Sequence, residues 1–290
     1  MKIAIVANTS WYVYNFRKEL ISELLKNGHQ VVTVAPVYMD EYSQKLIDMG
    51  CTHFNVNMDN KGTNPIKDIA TFFNFVSIYK KARPDMIFHF TIKPNIYGTL
   101  AAKFLNISCI NNISGLGTLF IKEGFATLVA KILYKISQNH PKHIFFQNNE
   151  DHEHFLKLGL VKKEKSSVLP GSGVDTVRFS PREKEQNDGK FVFLLIARML
   201  KDKGIVEFVK AAEIVKSTHN HCEFQLLGFM DEKDKNGVTK KEMSDWIKDG
   251  AIKYLGVSNS VENHLAEADC FVLPSFYKEL FRCWSYLFRE

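Results

Sequence analysis

Short runs of consecutive apolar residues alternate along this chain with segments whose apolar positions recur every three to four residues. The first pattern is that of a strand buried on both faces, and the second that of a helix covering it. In the first half, Lys2–Ala7, Gln30–Ala35, Met86–Phe90, Cys109–Ile113 and His143–Phe146 read as strands. Phe16–Lys26, Ile66–Ala82, Tyr97–Phe104 and Leu128–Ser137 read as helices, the first closed by Asn27-Gly28 with the glycine stop expected after a last turn. The stretch Ser180–Lys190, SPREKEQNDGK, carries no large apolar side chain and marks a boundary. Beyond it the pattern restarts, with strands at Phe191–Ala197, Glu223–Leu227, Ile252–Leu255 and Cys270–Leu273. Helices at Ile205–Lys216, Lys241–Lys248 and Val261–Ala266 separate them.

Apolar strands separated by helices imply parallel sheets covered on both faces. The expected architecture is α/β: two Rossmann-like domains in tandem, 1–180 and 181–290, with a cleft between them. The second has fewer elements than a doubly wound domain needs and is expected to be incomplete.

Composition narrows the partners. The chain is 45% apolar and 24% charged, as in an ordinary soluble protein, and its net charge of +6 is spread instead of gathered into blocks. That favours anionic small molecules or a lipid surface over nucleic acid. The 5 cysteines are scattered, odd in number and lack a CxxC pair, which speaks against a zinc site or a disulfide framework. The first residues, MKIAIVANTS, run straight into a strand without a signal peptide's apolar core, and no segment offers about 18 uninterrupted apolar residues. The expected location is cytoplasmic.

The most informative stretch chemically is Phe191–Gly204, FVFLLIARMLKDKG. An apolar strand delivers Arg198, and Lys203-Gly204 opens the following helix. Ligands of open α/β sheets gather at the carboxyl ends of strands, where a helix N-terminus with nearby cations accepts a diphosphate. Each cation alone is equally compatible with a plain surface charge.

The order of segments resembles the family 4 retaining glycosyltransferases of GT-B fold, of the bacterial type that extends lipid-linked O-antigen, capsule or protein-glycan precursors. The likeness lies in Asn15-Phe16-Arg17, in His89-Phe90-Thr91-Ile92-Lys93-Pro94-Asn95-Ile96-Tyr97-Gly98, and in Ile113-Ser114-Gly115-Leu116-Gly117. It continues in Phe146-Gln147-Asn148, in Gly173-Val174-Asp175 with Phe179, and in Arg198 with Lys203-Gly204. Gly228, and Ala268-Asp269 leading to Pro274-Ser275 and Glu279, complete it.

The resemblance implies that Arg198, Lys203 and Gly204 hold the donor diphosphate without a metal, and the chain has no Asp-x-Asp. It implies that Glu279, the first glutamate of a paired motif, is a catalytic-site residue in the donor-sugar and nucleotide region, the alternative being a solvated loop carboxylate. His89 is either a catalytic-site histidine contacting a sugar hydroxyl or phosphate, or a satisfied buried one. Lys93 either meets substrate phosphate or is an exposed lysine. Gly115 and Gly117 either let backbone approach a ligand closely or belong to an ordinary turn, and the resemblance places Ser114 beside them among the substrate-binding residues. Arg17 either faces an acceptor diphosphate or sits on the surface of its helix, the second being favoured. Leu119–Ile136 interleaves apolar residues with lysines and either rests on an anionic bilayer or packs on the sheet, the commoner cause.

The chain departs from the family in two places. Asn8-Thr9-Ser10 stands where many relatives carry a glycine-rich loop. Leu287 stands where the second glutamate is expected, which suggests a frameshift or truncation after Glu279 relative to a longer transferase. The expected function is transfer of a hexose or N-acetylhexosamine, with retention, from a nucleoside-diphosphate donor such as a UDP-sugar to a lipid-linked glycan. Peripheral contact with the inner face of the cell membrane accompanies it, and no cofactor beyond the donor is implied. The alternatives are an inert sugar-nucleotide- or partner-binding remnant and, behind it, a GT-B-fold epimerase.

Overall fold

The computed structural model describes residues 1–36, 40–59, 64–115, 125–169, 171–182, 189–231 and 234–275. The chain forms two compact units, the first running from Met1 to Gly173 and the second beginning at Val174. The division precedes the polar stretch at Ser180 because Arg178 and Arg182 already belong to the second unit. Arg178 donates to Glu262 Oε2 (2.9 Å) and to the Asn259 carbonyl (2.9 Å), and Arg182 to Asn263 Oδ1 (2.7 Å).

In the first unit the strands β1 (Lys2–Val6), β2 (Gln30–Ala35), β3 (Thr52–Asn55), β4 (Met86–Phe90), β5 (Ser108–Ile113), β6 (His143–Phe146) and β7 (Ser166–Val168) form one sheet. Their order is β3-β2-β1-β4-β5-β6-β7, and every pairing is parallel. The connecting helices are α1 (Ser10–Lys26), α2 (Asp40–Asp48), α3 (Pro65–Ala82), α4 (Thr99–Phe104), α5 (Phe125–Ser137) and α6 (Asn149–Lys157).

Several bounds differ from the sequence reading for identifiable reasons. Helix α1 starts six residues before Phe16, because Thr9 Oγ1 accepts the Tyr12 N–H (3.0 Å) and caps it. The segment read as one helix from Tyr97 is a π-helical turn, Pro94–Gly98, running into α4. Elements α2, β3, α6 and β7 escaped the reading. β3 and β7 are short, and α6 is mostly polar.

Strand alternation sends the two sheet faces into separate cores. Ile3, Ile5 and Ala7 of the first strand region, with Phe90, pack against Val13 and Ile21 of α1. On the other face Ala4, Val6, Ile87 and Cys109 pack against Phe75 and Tyr79 of α3 and Ala101 and Ala102 of α4. Ile113, which shares its face with Cys109, packs with Ile96 of the π turn and Tyr134 of α5. Helices α3, α4 and α5 therefore cover the same side of the sheet.

The second unit contains β8 (Phe191–Ile196), α7 (Ile205–Lys216), β9 (Cys222–Leu227), α8 (Lys240–Lys248), β10 (Lys253–Tyr254), α9 (Val261–Glu267) and β11 (Cys270–Phe271). The strands are parallel, ordered β10-β9-β8-β11. Phe224 anchors the core, stacking on Phe193 (centroids 4.6 Å apart) and meeting Phe208 of α7 edge-on (5.4 Å). β10 and β11 are each two residues long, shorter than the apolar runs that announced them.

Candidate functional site

In the second unit the segment following β11 meets the start of α7, and Gly228, just past β9, lies against the Ala197 carbonyl at the end of β8. Gly204, at φ +76°, is the N-cap of α7, and an added Cβ would stand 2.6 Å from Pro274 Cγ and closer still to the Pro274 carbonyl oxygen. No side chain caps α7, so its first-turn amides are left for water or a ligand. Ser275 Oγ donates to the Asp202 carbonyl (3.5 Å), and Tyr254 Oη, on β10, donates to the Gly228 carbonyl (2.7 Å) just beyond β9.

Arg198 is exposed and Lys203 half-buried, and neither has a carboxylate partner among the described residues. Nearby cations are committed elsewhere: Lys201 pairs with Glu242 (2.8 Å), and Arg178 with Glu262. The Lys201 pairing and the capping bonds from Thr239 hold the Glu242 carboxyl down to about 2. Arg198, Lys203 and the free amides of α7 thus form a positive corner at the strand ends, suited to a diphosphate.

In the first unit the structure separates the predicted residues into different roles. His89 is fully buried on β4. Its Nδ1–H donates to Asn111 Oδ1 (2.9 Å), and its Nε2 accepts from the Tyr79 hydroxyl (2.9 Å), which defines a neutral ring. Burial drives its pKa down to about 3, against the opposing Asn111 bond and with help from His140. A Cβ on Gly98 would stand 2.7 Å from Nε2, so the glycine in the π turn is what admits the ring. Of the two readings of His89, the satisfied buried histidine is the one observed.

The same network fixes the π turn. Asn111 Nδ2 donates to Gln138 Oε1 (2.8 Å) and Thr99 Oγ1 (2.9 Å). Gln138 Nε2 donates to the Asn95 carbonyl (2.8 Å), and Asn95 Nδ2 to the Asn112 carbonyl (2.9 Å). Lys93 is neither exposed nor free: its Nζ lies 2.6 Å from Asp68 Oδ1, with both side chains nearly buried. Tyr97 donates to the other oxygen of Asp68 (2.9 Å), and burial together with that bond raises the Tyr97 pKa well above its ordinary value.

Arg17 is buried, not on the helix surface, because the inner side of α1 lays its guanidinium 4.1 Å from the Phe90 ring centroid. One Nη donates to Tyr12 Oη (2.7 Å), while Nε has no partner among the described residues. Asn8 Oδ1, Thr91 Oγ1 and Asn95 Oδ1 are also buried without partners. By register Asn8 and Thr91 follow the paired residues Val6 and His89 at the carboxyl ends of β1 and β4, and the Asn95 N–H bonds the Thr91 carbonyl (3.1 Å). Thr91 holds φ +68°, an unusual conformation for a β-branched residue. Ser114 and Gly115 lie just past β5, at the same edge of the sheet. Gly117 and Glu279 lie outside the described residues, as does Leu287.

Sequence reasoning gave no individual role to Asn8, Thr91 or Asn95 and did not single out the Asn111 hub. The available signal was Asn111-Asn112 inside an otherwise apolar strand, since a buried amide has to be bonded. Asp68, an acid on the inward face of α3, was a second.

The family described as "Glycosyl transferase 4-like" matches residues 2–148, and "Glycosyl transferases group 1" matches residues 177–281. The chain is 32% identical to the N,N'-diacetylbacillosaminyl-diphospho-undecaprenol alpha-1,3-N-acetylgalactosaminyltransferase of Campylobacter jejuni, over 97% of this chain and 76% of that protein. It is 26% identical to a UDP-Gal:alpha-D-GlcNAc-diphosphoundecaprenol alpha-1,3-galactosyltransferase of Escherichia coli, over 73% of this chain and 57% of that one. The Anabaena HepE protein, solved with UDP-glucose, shares the fold at a TM-score of 0.71 and 14% identity, covering 96% of this chain and 75% of that one.

Two parallel α/β units, together with the matches to both glycosyltransferase family models and to the Campylobacter jejuni enzyme, identify a glycosyltransferase of GT-B type. The chain belongs to the family 4 glycosyltransferases.

Proposed function

We propose that this chain transfers a hexosyl or N-acetylhexosaminyl group from a UDP-sugar to a sugar of a diphospholipid-linked glycan, with retention and without a resident metal. The observation that carries this reading is the pair Arg198 and Lys203, which have no carboxylate partner among the described residues and stand beside a start of α7 that no described side chain caps. As the bond between the anomeric carbon and the diphosphate oxygen breaks, negative charge grows on the leaving phosphate, and these cations and amides stabilise it. The new bond forms from the anomeric carbon to an acceptor hydroxyl, whose proton passes to the departing phosphate.

The acceptor belongs with the first unit. Unpartnered Asn8 Oδ1 and Asn95 Oδ1 accept hydrogen bonds, as sugar hydroxyls or an N-acetyl N–H would require, and Arg17 Nε can donate to an acceptor oxygen. Both curated relatives are named for undecaprenol-linked diphosphate acceptors, which supports an acceptor of that class and a peripheral position at the membrane. Leu287, at the position of the expected second glutamate, favours one other reading, a protein that binds the donor without turning it over.

The test is an assay of UDP release from UDP-hexoses and UDP-N-acetylhexosamines, with a short-chain isoprenyl-diphosphate-linked sugar as acceptor, alongside calorimetric titration with UDP. UDP release dependent on the acceptor is expected. UDP binding without release would select the binding protein, and absence of UDP binding would overturn both.

A further inference from the structure

The helices on one side of the first sheet carry more apolar surface than packing on that sheet requires. On α3, Phe75 and Tyr79 face the sheet, while Ile66 (78% exposed), Ile69 and Phe73 (62%) form a stripe on the opposite side at helical spacing. On α4, Ala101 and Ala102 are buried and Phe104 is 68% exposed. On α5, Ala130 and Tyr134 are buried, while Leu128, Ile132 and Ile136 point outward. The stripes of α3 and α4 join through Phe72, whose ring lies 5.2 Å from that of Phe73 and 6.3 Å from that of Phe104. Apolar exposure on three neighbouring helices marks an interaction surface, unlike isolated exposed side chains.

The charged side chains on these helices are predominantly lysines. The three helices carry Lys67, Lys80, Lys81, Lys103, Lys131 and Lys135 against a single acid, Asp68, which is nearly buried and neutralised by Lys93. Of these lysines only Lys67 forms an ion pair among the described residues, with Asp59 at 3.4 Å in the preceding loop. A second copy docking through the same face would bring lysines against lysines, whereas an anionic bilayer neutralises them and takes up the apolar side chains. None of the described helices is long and apolar enough to cross a membrane, so the contact is one of lying on the surface.

We infer that the α3–α4–α5 face of the first unit is a docking surface for an anionic lipid bilayer. This inference deepens the proposed peripheral role and rests on that reading for its biological sense, while its physical basis is the helix surface alone. The face holds the first unit, and the residues at the carboxyl ends of its strands, close to a lipid-borne acceptor.

The test is flotation of the full chain with vesicles of phosphatidylglycerol and phosphatidylcholine in equal parts, and with pure phosphatidylcholine, at low and high salt. The wild type is expected to float with the anionic vesicles at low salt and much less with the neutral ones. Two double variants probe the two components, Phe73→Ser with Ile132→Ser and Lys131→Glu with Lys135→Glu, all at exposed or half-exposed positions. Each is expected to lower the floated fraction about tenfold while melting like the wild type. Failure of the wild type to float with anionic vesicles at low salt would overturn the inference, as would flotation of both variants at the wild-type level. A concentration-dependent dimer that both variants abolish, without flotation, would assign the face to a second copy. Transfer to the short-chain acceptor needs no bilayer, so flotation without such transfer supports the surface while removing the transferase reading.

Discussion

Gly204 lies directly against Pro274: the start of α7 touches the segment that follows β11, with only 2.6 Å between a built Cβ and Pro274 Cγ. Both cations of the corner precede Gly204 in the segment between β8 and α7, so the contact helps hold that segment at the strand ends. Gly204→Ala meets both the crowding and the cost of φ +76° for a residue with a Cβ. A loss of about 1–3 kcal/mol in urea unfolding is expected, together with weaker UDP binding. An unchanged unfolding midpoint would show that the contact yields without cost.

Arg198→Ala is expected to weaken UDP binding by about tenfold or more without shifting the melting temperature, because the side chain is exposed and bonds to no group among the described residues. Lys201→Ala is the matched control. Its charge sits two residues from Lys203 but is engaged by Glu242 at 2.8 Å. Titration calorimetry of both variants with UDP separates a specific diphosphate contact from a general loss of positive charge. Equal losses would favour the general effect.

The apolar runs of β1, β2, β4, β5, β6, β8 and β9 were legible because buried parallel strands have little alternative to continuous apolar sequence. The short edge strand β3 was not, since it has only four residues, is exposed at both ends and buries none of them fully. Arg198 and Lys203 could be read as a cationic pair, but only the structure shows that neighbouring Lys201 is already spent. The sequence leaves His89 and Lys93 open between contact with a ligand and a structural or surface role, and most polar residues of the segment from His89 to Gly98 bond one another or the interior. A histidine, lysine, asparagine and tyrosine near a strand end look the same in sequence whether they await a ligand or hold a π turn in place. What decides between the two is the partner, and Asp68, Asn111 and Gln138 are distant in sequence from the segment they satisfy.

Lys93→Met is expected to destabilise the first unit by about 3–5 kcal/mol, since it strands the Asp68 carboxylate with Tyr97 as its remaining described side-chain partner. Asp68→Asn combined with Lys93→Met removes the charge while keeping an oxygen that can accept from Tyr97, and should recover much of that loss. Chemical unfolding of the single and double variants measures this directly. A double variant no better than Lys93→Met alone would remove the stranded charge as the cause.

His89 supplies a pH signature with a defined sign. Its ordinary pKa is 6.5 and burial lowers it to about 3 in the folded chain, so between these values the unfolded chain binds a proton that the folded chain refuses. Stability contributed by the neutral ring is therefore complete above pH 6.5 and lost as pH falls towards 3, at up to about 1.4 kcal/mol per pH unit. The interval from pH 5 to 6.5 isolates the effect best, because carboxylates that titrate at lower pH are still ionised there, while His53 and His152, also lowered by burial, add in the same direction. His89→Gln retains polar atoms but cannot titrate. Its baseline stability should fall with the loss of the Tyr79 and Asn111 bonds, and its stability should vary less with pH across that interval. Urea midpoints measured at several pH values would decide it, and an unchanged slope in the variant would show that His89 takes up its proton without unfolding.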